Sequence, residues 1–160
     1  MSENAQTAFD LFKAVEGKES ATGDWMEVDQ EKINQFADVT LDHQFIHVDP
    51  ERAKDTPFGT TIAHGFLTLS LLTHLGVSAQ PESPDPGRFK GMVMGVNYGF
   101  DKVRFVSPVK VGSRIRVHSL LSNVELKGNA IQQTRTMTVE IDGQEKPALV
   151  ADWITRSVYA

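Results

Sequence analysis

The stretch "IAHGFLTLSLLTHL", Ile62 to Leu75, decides how this chain must fold. Wound as a helix, it carries Ile62, Ala63, Phe66, Leu67, Leu69, Leu71, Leu72 and Leu75 on nearly every side and leaves no consistent polar face. Such a helix persists only where other structure surrounds it. The pattern predicts a helix over 62–75, capped by Thr60 or Thr61 and stopped by Gly76.

Candidates for that surrounding structure lie downstream. Ile115, Val117 and Leu121 share one parity, opposite Arg114, Arg116 and His118. Ile131, Met137, Val139 and Ile141 also fall on one parity, opposite Thr134, Thr136, Thr138 and Glu140. Both runs alternate with period two, the signature of a half-buried antiparallel sheet. "KGN" and the "DG" at Asp142-Gly143 supply turns, and "ALVADWITRSVY" a final strand. Upstream, Ala8, Leu11, Phe12 and Val15 fall at helical spacing within Ala5–Glu16, and Gly17 ends the run. "DWMEV" reads as a short strand, after which Asp29 caps a helix with Ile33, Phe36 and Ala37 on one face. "QPESPDPGRFKG" reads as a loop. The expectation is an α+β domain over 1–160, with an antiparallel sheet wrapped around the apolar helix and with 1–28 forming an N-terminal helix and first strand.

Composition narrows the function. At 160 residues the chain suits one domain or one unit of a symmetric oligomer. A net charge of −5 with scattered Lys and Arg argues against a nucleic-acid partner, which needs concentrated basic surface. Cysteine is absent, which removes disulfides and thiolate zinc sites. No apolar run is long enough for a bilayer, and the first residues lack the basic start and apolar block of a secretory signal. The expected location is cytoplasmic, with no membrane partner.

Chemistry concentrates in two segments. In "DHQFIHVDPERA", Asp42 and His47 stand five apart with aromatic and aliphatic residues between them. A turn can converge the pair on one water, the histidine serving acid–base work near neutral pH and the carboxylate fixing its tautomer. Alternatively Asp42 is a cap and His47 a loop residue. His43 and His47 have zinc-like spacing, with Asp49 adjacent and His64 downstream, but "VDP" breaks the helix that spacing needs and the general-base Glu is missing, so no metal is expected. In "TTIAHGF", Gly65 exposes a backbone N–H in the first helical turn, suited to a developing oxyanion. Gly65 could equally serve close packing, and His64 a core role. Ser70 lacks the strained turn of a nucleophile and reads as a pocket-lining or packing residue.

Together, "FADVTLDHQFIHVDPERA" and "PFGTTIAHGFLTLSLL" resemble the MaoC-like, (R)-specific enoyl-CoA hydratase family of hot-dog-fold proteins, and "NYGFDKVRFVSPVKVGSRIRV" resembles the strands that follow the family's central helix. The family's Gly, Asn and Pro around the acid are Leu41, Gln44 and Phe45 here, a variation that resembles its NodN-like branch. The resemblance implies hydration of a trans-2-enoyl-CoA, or the reverse dehydration, with Asp42 and His47 as the catalytic pair. It places Gly65, Gln44, His64 and Ser70 at the oxyanion and substrate site. Coenzyme A would arrive as part of the substrate, with no other cofactor, and the active form would be a homodimer. Arg88, Lys90, Lys102 and Arg104 are candidate contacts for CoA phosphates. Rival readings are a non-catalytic acyl-thioester binding module and a hot-dog thioesterase. The latter's usual carboxylate is missing from the central helix.

Overall fold

The structure, a computed structural model, describes residues 2–160. In chain order it comprises α1 (Glu3–Lys13), β1 (Ser20–Thr22), β2 (Met26–Val28), α2 (Gln30–Thr40), α3 (Phe45–Val48), α4 (Pro50–Ala53), α5 (Gly65–Ser78), a 3-10 turn at Pro86–Arg88, β3 (Met92–Phe105), β4 (Ser113–Lys127), β5 (Ala130–Ile141) and β6 (Leu149–Tyr159). The strands form one antiparallel sheet in the order β1-β4-β5-β6-β3, and β2 also pairs with β4. This is the α+β arrangement expected, with α5 against the sheet's inner face.

The core follows the parity of the strands. Leu67, Leu72 and Leu75 of α5 pack on Ile115, Val117, Met137, Val139, Leu149 and Ala151. Here α5 departs from expectation. Ile62 is bridged to Lys110 and donates its N–H to the Ile46 carbonyl, while Ala63 donates to the Val109 carbonyl, so both are committed to extended backbone. The helix therefore begins at Gly65, with His64 at the N-cap in place of Thr60 or Thr61, and no side chain caps it. At the other end Gly76 stays helical and the helix runs on to Ser78. Enclosure is also partial: Phe66 and Val77 are 67% and 73% exposed.

A smaller cluster joins Ala5, Ala8 and Phe12 of α1 to Leu121, Val124, Ile131 and Tyr159. The first helix is Glu3–Lys13, earlier than its apolar spacing suggested, and Gly17 sits in a turn at φ 73°. The strand Ser20–Thr22 carries no apolar alternation and was not expected. Asp29 caps α2 as predicted, its carboxylate accepting from the Lys32 N–H at 2.9 Å. Gly128 at φ 64° turns β4 into β5, as "KGN" suggested. Asp142-Gly143 opens a longer connection reaching Ala148. At the sheet's free edge, β3 exposes Val93 (60%), Met94, Val96 and Tyr98. No helix among the described residues is long and apolar enough to cross a membrane.

Candidate active site

The site is built where α2 stops. Leu41 ends that helix in the left-handed region at φ 62°, which turns the chain sharply into Asp42. The Asp42 carboxylate accepts from the Gln44 N–H at 3.3 Å, and the Gln44 carbonyl accepts from the His47 N–H at 3.0 Å. The single turn of α3 then directs His47 inward, where it is buried.

Two imidazoles meet there. His47 Nδ1 lies 2.7 Å from the Ile62 carbonyl oxygen. A carbonyl only accepts, so Nδ1 carries the proton and Nε2 presents a lone pair. By the same logic His64 donates from Nε2 to the Asp42 backbone carbonyl at 2.9 Å. That leaves its Nδ1 buried with no partner. The rings stack with centroids 3.8 Å apart. Burial pushes the His47 pKa below the ordinary histidine value, and His64 lowers it further, against opposing pulls from the Ile62 hydrogen bond and the Asp42 charge. At neutral pH His47 is therefore an uncharged base.

A carboxylate oxygen of Asp42 and one nitrogen each of His47 and His64 all lie within 4.8 Å of one another. Asp42 is half-exposed, with Oδ2 4.0 Å from His64 Nε2. The acid and the histidine of the sequence reading thus converge, and His64 joins them. The spacing leaves room for one small species between the groups, a water or a cation. The alternative pairing of His43 with His47 does not form, because His43 Nε2 turns to Asp38 at 2.8 Å.

Gly65 is the first residue of α5, so its N–H has no acceptor within the helix. A Cβ here would fall 2.9 Å from Phe105 Cδ1, so the close packing weighed as an alternative is also real. Gly65, His47, Thr68, Phe105 and Val109 line one cavity of about 240 Å³. Gln44 contributes its backbone to this arrangement. Ser70 donates to the Phe66 carbonyl on an exposed side of α5 and does not line that cavity. Arg88 is 5% exposed and ion-paired to Glu19, which removes it from the surface contacts proposed for CoA phosphates. Lys90 and Arg104 are exposed, and so is Lys102, which pairs with Asp152 at 3.1 Å. The Ile62 carbonyl and Phe105 were not foreseen. The first is a backbone group that no side-chain pattern marks, and the second becomes a wall only through the strand pairing.

Residues 12–142 match the MaoC like domain family. The chain is 51% identical to nodulation protein N of Rhizobium meliloti over 86% of this chain and 83% of that protein. It is 50% identical to 3-hydroxyacyl-thioester dehydratase Z of Mycobacterium tuberculosis over 91% of this chain and 92% of that protein. Among solved structures, the (R)-hydratase from A. caviae aligns with a TM-score of 0.68 at 20% identity, covering 89% of this chain and 97% of that one. The hot-dog fold expected from the sequence is therefore shared.

Proposed function

This chain belongs to the MaoC-like dehydratase domain family, and on that premise we propose that it adds water to trans-2-enoyl thioesters, giving (R)-3-hydroxyacyl thioesters, or removes it. One observation carries the reading: a neutral His47, with Nδ1 locked on the Ile62 carbonyl and Nε2 free, beside the Asp42 carboxylate. The similarity to a 3-hydroxyacyl-thioester dehydratase supports it.

In the hydration direction Asp42 and His47 hold one water. As the water oxygen bonds to C3, His47 Nε2 takes one of its protons, and the C2–C3 π electrons move into the thioester as an enolate. The Gly65 N–H donates to the enolate oxygen; losing such a donor typically costs about 3–4 kcal/mol in the transition state. The proton held on His47 then passes to C2, relayed by the Asp42 carboxylate that orients the water, so both groups return to their starting charge. The balance is one hydroxyl on C3 and one hydrogen on C2. No step calls on a metal or redox group, and coenzyme A is carried by the substrate.

The exposed edge strand β3 supports the homodimer expectation, because a strand with one open edge, carrying exposed Val93, Met94, Val96 and Tyr98, invites a second copy. Sedimentation at micromolar concentration tests that directly. The activity is tested by following loss of enoyl-thioester absorbance with crotonyl-CoA and longer trans-2-enoyl-CoAs, then resolving the product on a chiral phase. Turnover to the (R)-alcohol that Asp42→Asn or His47→Gln abolishes is expected. Intact acyl-CoA binding with no turnover at any chain length would turn the reading toward a binding module.

A further inference from the structure

A second cavity, of about 260 Å³, lies under the C-terminal turns of α5 and shares no wall with the first. Thr73, Gly76 and Val77 form its helical side. Its sheet side is unexpectedly polar: Ser119, Gln133, Arg135, Thr155 and Ser157 point inward there. Glu19 and Arg88 also line it.

Its charges do not balance. Arg88 Nη1 donates to Glu19 Oε2 at 2.5 Å and Arg135 Nη2 to Glu19 Oε1 at 3.1 Å. Neither arginine has another carboxylate partner among the described residues, so two guanidiniums share one anion. Arg88 Nε is buried without any acceptor among the described residues. The Gln133 side chain, 7% exposed, makes no hydrogen bond among the described residues either. A buried cation lacking its counter-charge is costly unless something else supplies it. The missing group is an anion with oxygen acceptors, and guanidinium forks suit a carboxylate.

The two cavities are also aligned. Gly65 and Gly76 lie on one face of α5, three turns apart, about 16 Å along the axis. Leu69, Phe100 and Val103 are partly buried apolar residues packed against the same core, and Phe100 stacks on Trp153. Gly76 has no side chain to block the far end, where Trp153 stands 3.5 Å from its missing Cβ. An extended chain of roughly twelve carbons spans that distance.

We propose that the second cavity binds the far end of the acyl chain, and that this end carries a carboxylate received by Arg88 and Arg135. The substrate class is the monothioester of a long α,ω-dicarboxylic acid. This rests on the enoyl-thioester reading of the Asp42–His47 site.

The test compares kcat/KM for trans-2-dodecenedioyl-CoA, trans-2-dodecenoyl-CoA and crotonyl-CoA. The ω-carboxylate should be preferred over the ω-methyl chain by at least about tenfold, the scale of one charge-assisted hydrogen bond. Arg88→Met should bring that ratio close to one, whereas a merely structural loss lowers both rates together. Gly76→Leu should lower both long-chain rates relative to crotonyl-CoA. Hydration of crotonyl-CoA without preference for the ω-carboxylate overturns the proposal and leaves the hydratase reading standing. If no enoyl-CoA is hydrated, the hydratase reading fails by itself. Calorimetric binding of free dodecanedioate then decides: binding that Arg88→Met weakens upholds the anion site, and no binding overturns it.

Discussion

Replacing Glu19 by Gln isolates the charge cluster that lines the second cavity. The substitution keeps the volume and removes the one carboxylate between Arg88 and Arg135. The three side chains are only 9%, 6% and 15% exposed, so water cannot readily take over the lost role. Breaking a buried pair by removing one partner costs about 3–5 kcal/mol, because the remaining charge stays in place unpaired. A gain or loss of 1 kcal/mol moves the melting temperature of a domain this size by about 2–4 °C, so Glu19→Gln should melt roughly 10 °C lower. Urea denaturation with an unchanged m-value gives the free energy, and Asp142→Asn serves as the control. Its Arg114–Asp142 pair is 55% and 42% exposed and should be worth about 0.5 kcal/mol. The double variant Glu19→Gln/Arg88→Met should recover part of the loss, since it removes one of the two orphaned cations and leaves only Arg135 unpaired. A Glu19→Gln cost no larger than that of Asp142→Asn would refute the reasoning.

The lowered His47 pKa means that the unfolded chain binds its proton more readily than the folded one. The stability His47 contributes is thus present above about pH 6.5 and lost as pH falls through its folded value, and His47→Gln should flatten the acid side of a melting-temperature profile. In kcat/KM of the wild-type chain, the acid limb should fall below pH 6.5. Leu41 is 81% exposed in a left-handed conformation that costs a side-chain-bearing residue about 1–2 kcal/mol. Leu41→Gly should stabilise the chain by up to about 1 kcal/mol after the added freedom of the unfolded state, measurable in urea. Gly65→Ala keeps the helix and its N–H but drives Phe105 aside, so turnover should fall about a hundredfold while stability changes by about 1 kcal/mol or less.

Strand alternation carried most of the fold. Ile131, Met137, Val139 and Ile141 marked the inner face of β5 because a period of two admits no other reading once one side is buried. The same parity puts Gln133 and Arg135 inward, and Ser119 between Val117 and Leu121. The polar interruptions in an apolar row were visible signs of the second cavity. What they faced was not visible, because Glu19 and Arg88 reach them from segments distant in sequence. The start of α5 was equally hidden: Ile62 and Ala63 have helical spacing, and only their backbone partners at Lys110, Ile46 and Val109 hold them extended. Asp42 and His47 were legible as a pair through the family motif. The stacked His64 ring and the Ile62 carbonyl that sets the tautomer depend on packing that residue spacing does not encode.

The strand order has a consequence for how the chain acquires its shape. β3 precedes β4 and β5 in sequence, yet among the described residues its one partner in the sheet is β6. During synthesis β3 must wait, with its backbone N–H and C=O groups without a strand partner, until Leu149–Tyr159 has emerged and docked on β5. The β4–β5–β6 meander can form from neighbours alone, but pairing β3 with β6 and β1 with β4 joins distant residues, which is slow. The vulnerable interval lies between emergence of β3 and arrival of β6. A lesion in β6 would expose β3 as surely as one in β3 itself, making the far end of the chain the guardian against misassembly.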